Sequence, residues 1–463
     1  MKHELSKNNI TVIGAERSGV AVARLLKTAG ANVFVSDFGK SQHTLKNIDA
    51  LKKEGIECEF GGHSERVYNC SVMVISPGVP ANAPVVVEAQ KRGIKVVSEI
   101  EAASWFCKGP IVAITGSNGK TTTTTLLGRM LSDAKKKHVV AGNIGTAFSS
   151  VVLDVDEETV VVLEVSSFQL DFIDTFRPTI AMILNITQNH MDRYDNSMEK
   201  YASAKVRIFK NQTADDTLIA NADDFWTTEK VKSAKATVAY FSTKQKISNG
   251  AYVEQEMLTT RIQQTEYPIL NTREISIKGE HNLQNAMAAT LAAQFVGIGP
   301  AFIKATLKNF KGVEHRQEFV REVNGIKYIN NSKATTVEAV EVSLKSYDEP
   351  IVLMMGGKDK GNDYSTIYEL VKKKVKAIVA TGYSADSIVK NFADKVRVEK
   401  VETIGNAIPN IESMKKALDT ATRLADKGDV VLLSPACTSF DWFVDYEERG
   451  RVFKQLVNEI QEK

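Results

Sequence analysis

Eight consecutive residues, Thr115-Gly116-Ser117-Asn118-Gly119-Lys120-Thr121-Thr122, combine two glycines, a lysine and hydroxyls directly after the apolar run Ile111-Val112-Ala113-Ile114. That order suits a seat for a nucleoside triphosphate. The glycines let backbone N–H groups face phosphate oxygens, and a helix starting behind the loop adds the positive end of its dipole. Lys120 would reach the β- and γ-phosphates, and Thr121 or Thr122 would hold Mg²⁺. The strict spacing G-x-x-x-x-G-K-[ST] needs glycine at 114, where this chain has Ile114, so the loop is a shortened variant. A tight turn with incidental glycines is the plainer alternative; the strand before the loop and the helix after it weigh for the nucleotide.

Other reactive side chains also follow apolar runs. Glu164 ends the run 160–163, and a carboxylate there would coordinate Mg²⁺; alone it would pass for a capping glutamate. Asn189-His190-Met191-Asp192-Arg193-Tyr194 puts a neutral ligand, a carboxylate and a guanidinium in one loop, which suits a second metal ion or a phosphate. Lys205 is, by spacing, an ordinary helix lysine. Further on, the loops 330–336, 356–361 and 434–440 each follow a strand and carry lysines, hydroxyls or glycines. Together they suggest one crevice for a ligand with carboxylates.

The elements that must position these loops alternate strand and helix. Residues 10–13, a glycine loop 14–19, a helix 20–28 and a strand 32–36 closed by Asp37 open a Rossmann-like unit. Its fingerprint is broken: Glu16 stands where the middle glycine of G-x-G-x-x-G would be, so NAD is disfavoured and a differently held nucleotide remains. A central region holds strands at 111–115, 160–164 and 179–184, helices at 121–131 and 282–295, and short antiparallel strands between 225 and 278. A third region repeats strand-then-helix around strands 351–355, 377–381 and 430–433. The expected domains are 1–99, 100–313 and 314–463.

A chain of 463 residues with 43% hydrophobic and 25% charged residues reads as a multidomain globular protein. A net charge of +3 gives no reason to expect nucleic acid as a partner. Cys58, Cys70, Cys107 and Cys437 lack metal-ligand spacing and fit reduced thiols. No signal peptide or membrane-spanning run is seen, so a cytoplasmic protein without membrane insertion is expected.

Seven motifs together resemble the Mur ligases: Gly116-Ser-Asn-Gly-Lys-Thr-Thr, Glu164-x-Ser-Ser-Phe-Gln-Leu, Asn189-His-Met-Asp-Arg-Tyr, His281-Asn-x-x-Asn285, Glu314-His-Arg, Ser332-Lys-Ala-Thr and Ser434-Pro-Ala-Cys. They span the chain in the family's order. The resemblance implies an α/β protein of three domains: a Rossmann-like UDP-substrate domain, a central P-loop-type ATPase domain with a mixed sheet, and a Rossmann-like C-terminal domain for the amino acid. It implies ATP-driven amide formation through an acyl phosphate, and, within the family, the branch that adds D-glutamate to UDP-N-acetylmuramoyl-L-alanine for peptidoglycan. Implied cofactors are ATP and two Mg²⁺ ions, one supported by Thr121 and Glu164 and the second by His190, with Lys205 carbamylated. Gly116, Ser117, Asn118, Gly119, Lys120, Thr121 and Thr122 match the phosphate loop. Asn282, Asn285, Arg316 and Asn331 match positions contacting ATP, and His315 matches an active-site histidine. Lys333, Thr335, Lys360, Ser439 and Phe440 match the D-glutamate pocket. Ser18, Asp37, Ser76, Gly78, Asn143 and Ser166 match positions near the UDP-sugar. A monomer is expected.

The departures are specific. The family usually has Asp where this chain has Asn331, an amide that keeps hydrogen bonding and loses charge. Tyr446 stands where Phe is commoner, and Arg17 and Phe38 occupy variable uracil-site positions. The chain lacks the Asp-Asn-Pro-Arg stretch of diaminopimelate-adding relatives. Alternatives are another Mur-type or folylpolyglutamate-type ligase, an NAD(P)-dependent oxidoreductase opposed by Glu16, and a non-catalytic nucleotide-binding regulator.

Overall fold

In the computed structural model, which describes residues 8–143, 145–189, 191–359 and 361–462, the chain divides into two compact units between Phe310 and Lys311. The first unit carries two sheets. The N-terminal one is built from β1 (Asn9–Ile13), β2 (Asn32–Asp37), β3 (Glu57–Phe60), β4 (Val72–Ile75) and β5 (Lys95–Ser98), in the order β3-β2-β1-β4-β5, all parallel. The order turns back between β1 and β4, which opens a crevice at the carboxyl ends of the strands, where doubly wound sheets bind ligands. The helix Arg17–Thr28 buries Val22, Ala23, Leu25 and Leu26, one stripe of its surface. Gly19 sits so close to the preceding loop that an added Cβ would lie 1.8 Å from the Gly14 carbonyl oxygen.

The second sheet has nine strands: β6 (Ile111–Thr115), β7 (His138–Gly142), β8 (Val160–Glu164), β9 (Ile180–Ile183), β10 (Thr217–Asn221), β11 (Thr237–Ser242), β12 (Gly250–Glu254), β13 (Met257–Ile262) and β14 (Thr265–Asn271). Their order is β14-β13-β12-β11-β10-β9-β6-β8-β7. β6, β8 and β9 are buried at every residue, as interior parallel strands should be. The expectation of antiparallel strands between 225 and 278 holds only for the last three. β11 pairs parallel with β10, because the helix Phe225–Lys230 carries the chain back between them, and parallel with β12, which follows across residues 243–249. The reversal begins at two-residue turns, Gln255-Glu256 and Gln263-Gln264, all four residues with positive φ, the geometry that joins antiparallel neighbours.

The second unit holds β15 (Glu318–Val323), β16 (Ile326–Asn330), β17 (Ile351–Gly356), β18 (Val375–Thr381), β19 (Arg397–Lys400) and β20 (Val430–Leu433), in the order β15-β16-β20-β17-β18-β19. The β15–β16 hairpin is antiparallel and every other pairing parallel. Alternation along β17 shows two cores, one on each face: Val352 and Met354 join one cluster, Ile351, Leu353 and Met355 the other. The molecule is thus α/β with three sheets, Rossmann-like at its start and mixed in its centre.

Candidate active site

The phosphate loop leaves β6 and enters the helix Lys120–Asp133 through Gly119, whose φ of +84° is left-handed. The loop is braced from the segment after β9. Asn118 N donates to Asn185 Oδ1 at 2.9 Å, Ser117 Oγ donates to the Thr187 carbonyl at 2.8 Å, and Asn185 Nδ2 donates back to Asn118 O at 3.2 Å. Asn285, on the helix Glu280–Phe295, abuts the loop so closely that a Cβ at Gly119 would lie 2.2 Å from its Oδ1. Asn282, one turn earlier, donates to Lys278 O and accepts from Asn285. Of the two asparagines expected at the nucleotide, Asn285 adjoins the phosphate loop and Asn282 bonds Asn285. Gly119→Ala is expected to cost about 1–2 kcal/mol for the left-handed backbone and to push Asn285 off the loop. A lowered Tm with weakened ATP binding checks this; unchanged ATP affinity would contradict it.

Two lysines converge on one carbonyl. Lys120 Nζ donates to Gly116 O at 2.8 Å and to Ser117 O at 3.1 Å, and Lys205 Nζ donates to the same Gly116 O at 2.8 Å. Lys205, on the helix Met198–Val206, is 2% exposed and lies over the Tyr201 ring at 4.7 Å. Burial, and then the charge of Lys120, pushes its ammonium well below the usual lysine range. Spacing had made it a surface lysine; the fold buries it beside the phosphate loop.

Glu164 closes β8 and is 1% exposed. Its Oε1 accepts from Asn143 Nδ2 at 2.8 Å, whereas Oε2 is buried with no hydrogen-bond partner among the described residues. A buried carboxylate oxygen left unsatisfied is costly without a ligand. Thr121 and Thr122 start the phosphate-loop helix and are nearly buried. A hydroxyl and a carboxylate are hard oxygen donors, which fit Mg²⁺. His190 lies outside the described residues.

In the N-terminal crevice, Asp37 is a loop clamp. Its Oδ2 accepts from Ala15 N at 2.5 Å and its Oδ1 from Gly39 N at 2.6 Å. The Glu16 carboxylate accepts from Thr44 Oγ1 at 2.9 Å. Ser18 sits at the start of the first helix, and Ser76 Oγ reaches Gly14 O at 3.5 Å, just before Gly78. Arg17 Nη2 donates to Asn143 O at 3.0 Å, joining this crevice to the loop that carries Glu164's partner. Ser166 caps the helix Ser167–Leu170 through a capping box with Gln169, so its hydroxyl already has a structural task.

In the second unit, the loops after β17 and β20 are zipped together at Lys358 and Thr438. Lys358 N donates to Thr438 O at 2.9 Å and Thr438 N to Lys358 O at 3.2 Å. Ser439 is buried and Phe440 is 59% exposed beside it. Lys333 lies over the Tyr446 ring at 5.7 Å, and Thr335 is half-buried two residues on. Lys360 lies outside the described residues. His315 and Arg316 lie in the turn before β15; His315 is buried. Asn331 is buried too, its amide donating to Ser343 Oγ and Ser434 Oγ.

Some residues of these sites escaped sequence reasoning. Arg449 is buried and pushed down to about 10 by desolvation. Its guanidinium donates to Ser332 Oγ (2.9 Å), Ser332 O (2.8 Å) and Cys437 O (3.2 Å), tying the Lys333 loop to the Ser439 loop. Glu99 is buried beside β5; its Oε1 accepts from Ser149 N at 2.7 Å, and burial raises its carboxyl above the usual range. Both would pass in sequence for solvated charges on a helix.

Three family models match in succession: "Mur ligase MurD-like, N-terminal domain" over 8–98, "Mur ligase middle domain" over 114–293 and "Mur ligase, glutamate ligase domain" over 315–437. A protein of Chloroherpeton thalassium named UDP-N-acetylmuramoylalanine–D-glutamate ligase is 43% identical over 475 aligned positions, covering 99% of both chains. One of the same name from Salinibacter ruber is 42% identical, also covering 99% of both. Among solved structures, UDP-N-acetylmuramate-alanine ligase MurC of Thermotoga maritima superposes with a TM-score of 0.58 at 19% identity, covering 97% of this chain and 99% of its own. MurF of Acinetobacter baumannii gives 0.60 at 16% identity, covering 97% and 93%, a likeness of fold. Among the described residues, no helix is long and apolar enough to cross a membrane.

Proposed function

The chain belongs to the Mur ligase family, and from that premise we propose that it joins D-glutamate to UDP-N-acetylmuramoyl-L-alanine at the expense of ATP, in peptidoglycan precursor synthesis. The observation that carries this reading is the near full-length identity to relatives named for that reaction. The domains are 1–99 for the UDP substrate, 100–313 for ATP and 314–463 for the amino acid, in a monomer working in the cytoplasm.

A carboxylate resists amine attack because its oxygen is a poor leaving group. One carboxylate oxygen of the alanyl group attacks the γ-phosphorus, the β,γ bond breaks and ADP leaves. The D-glutamate nitrogen then attacks the acyl carbon, the amine loses a proton and phosphate departs. The phosphate loop cradles the triphosphate with backbone N–H groups, and Lys120 moves from its resting bond on Gly116 O to the γ-phosphate. Mg²⁺ held by Thr121 and Glu164 would offset the charge crowding of anion attacking anion. Glu164's unsatisfied Oε2 supports that placement. His190 is the proposed ligand of a second ion. Burial pushes the Lys205 ammonium well below the usual lysine range, which favours the neutral amine that can add to CO₂, forming an N–C bond and releasing a proton; the carbamate would supply an anion for the metal. Asn282, Asn285 and Arg316 serve ATP, whereas the Asn331 amide bonds Gln317 N, Ser343 Oγ and Ser434 Oγ. Ser18, Asp37, Ser76, Gly78, Asn143 and Ser166 serve the UDP-sugar. Lys333, Thr335, Lys360, Ser439 and Phe440 serve D-glutamate.

The test is phosphate release from ATP with UDP-N-acetylmuramoyl-L-alanine, scanned over D- and L-amino acids. Release that requires D-glutamate is expected. Release indifferent to the amino acid, or absent, would sink the proposal.

A further inference from the structure

Asn330 ends β16 fully buried, and the sequence marks it only as a neighbour of Asn331. Its Nδ2 lies 2.9 Å from His315 Nδ1, 3.0 Å from Glu318 Oε2 and 3.4 Å from Gly450 O, while its Oδ1 accepts from Ser332 N at 3.2 Å. A carboxylate and a carbonyl oxygen accept, and a backbone N–H only donates, so these partners fix which end of the amide faces the histidine. The NH₂ group donates to Nδ1. The neutral ring must then carry its proton on Nε2. Burial lowers the imidazolium below the usual histidine range, against the pull of Glu314 and Glu318, which favours that neutral ring.

The ring has no room to turn. A Cβ at Gly450 would lie 2.1 Å from its Nδ1, and Tyr446 stands edge-on at 6.2 Å. The backbone beneath it is held as firmly. His315 and Gln317 have φ of +63° and +45°, a region that residues with side chains seldom adopt. Asn331 Oδ1 accepts from Gln317 N at 3.1 Å, and Lys333 N donates to His315 O at 3.1 Å. The Asn331 amide is anchored in turn on Ser343 Oγ at 2.6 Å and Ser434 Oγ at 3.1 Å.

We propose that Asn330 and Asn331 form a positioning clasp, in which Asn330 holds His315 as an Nε2–H hydrogen-bond donor and Asn331 holds the left-handed turn that presents it. Asn331 thereby acts inside the second unit, through the turn, and does not touch the ribose. Nδ1 is capped and Nε2 is protonated, so His315 offers no lone pair for a base or a metal. The Glu314–His315–Glu318 cluster is accordingly no metal centre, and its two carboxylates share the Lys454 ammonium instead. What Nε2–H serves, an acceptor oxygen of the nucleotide or acyl phosphate, rests on the proposed ligase reaction; the tautomer does not.

Nitrogen-15 NMR of the histidine-labelled protein, with the His315 signals assigned by their loss in His315→Gln, reads the tautomer directly. Protonated Nε2 and bare Nδ1 are expected in the wild type; a proton on Nδ1 overturns the proposal even if no variant folds. Asn330→Ala should give mixed tautomers and a kcat for D-glutamate-dependent phosphate release lower by about tenfold or more, with the KM for ATP within about threefold. An unchanged tautomer or an unchanged rate overturns the role of Asn330. Asn331→Ala should slow ATP and 2′- or 3′-deoxy-ATP by the same factor; a loss confined to ATP would mean a ribose contact and overturn the role of Asn331. A wild type that releases no phosphate with D-glutamate sinks the ligase reading and leaves the tautomer result standing.

Discussion

Glu164→Gln is expected to lower kcat by about 10³-fold while leaving the fold intact, with a strongly raised Mg²⁺ requirement. Glutamine preserves the side-chain shape, and its carbonyl oxygen can still accept from Asn143 Nδ2 as Glu164 Oε1 does. The other end changes character. An NH₂ group replaces the buried Oε2, which has no protein partner among the described residues, so a charge and a lone pair vanish where the cation is proposed to sit. Leaving that amide unsatisfied costs roughly 1–3 kcal/mol, a modest loss of Tm beside the loss of rate. The measurement is phosphate release as a function of Mg²⁺ concentration, with ATP binding followed separately in the absence of metal. An unaltered Mg²⁺ dependence at full kcat would remove Glu164 from the metal site.

The phosphate loop could be read because its parts are contiguous: a strand, two glycines, a lysine and two hydroxyls lie within a dozen residues, and local geometry places them. Glu164 and the loops after β16, β17 and β20 were legible for a related reason, since each follows an apolar run and parallel sheets collect ligands at that end. What stayed hidden depends on contacts distant in sequence. Nothing around Lys205 tells that 89 positions separate it from the carbonyl it binds, or that it is buried. Asn330 and His315 meet across the turn into the β15–β16 hairpin, and Arg449 reaches Ser332 over 117 positions. The parallel pairing of β10, β11 and β12 was missed because a strand's own pattern does not state its neighbour's direction; for β10 and β11 the helix between them decides it. Asn331 matches a nucleotide position by resemblance, and the bonds of its amide to two serines and a backbone N–H join segments that the sequence does not connect.

Lys205→Met should separate stability from activity in opposite directions. The buried amine is pushed well below 10.5 in the folded chain. Between the folded and unfolded pKa values the unfolded chain binds a proton that the folded chain does not, so stability rises with pH through that window, and Lys205 costs stability at neutral pH. Methionine fills similar space without that cost. Gly116 O keeps its bond from Lys120 Nζ, so no carbonyl is orphaned. A gain of roughly 1 kcal/mol is expected, with a flatter dependence of Tm on pH below the ordinary lysine range. The rate should fall the other way, by about 10³-fold, because no carbamate can form and the anion proposed beside the metal is lost. Lys205→Ala opens the same space, so short carboxylic acids such as acetate should restore part of its activity by supplying the missing anion. A Lys205→Met variant of full activity, or an alanine variant that no carboxylic acid rescues, would return Lys205 to a purely structural role. A variant less stable than the parent would show that the Gly116 bond outweighs the burial of the amine.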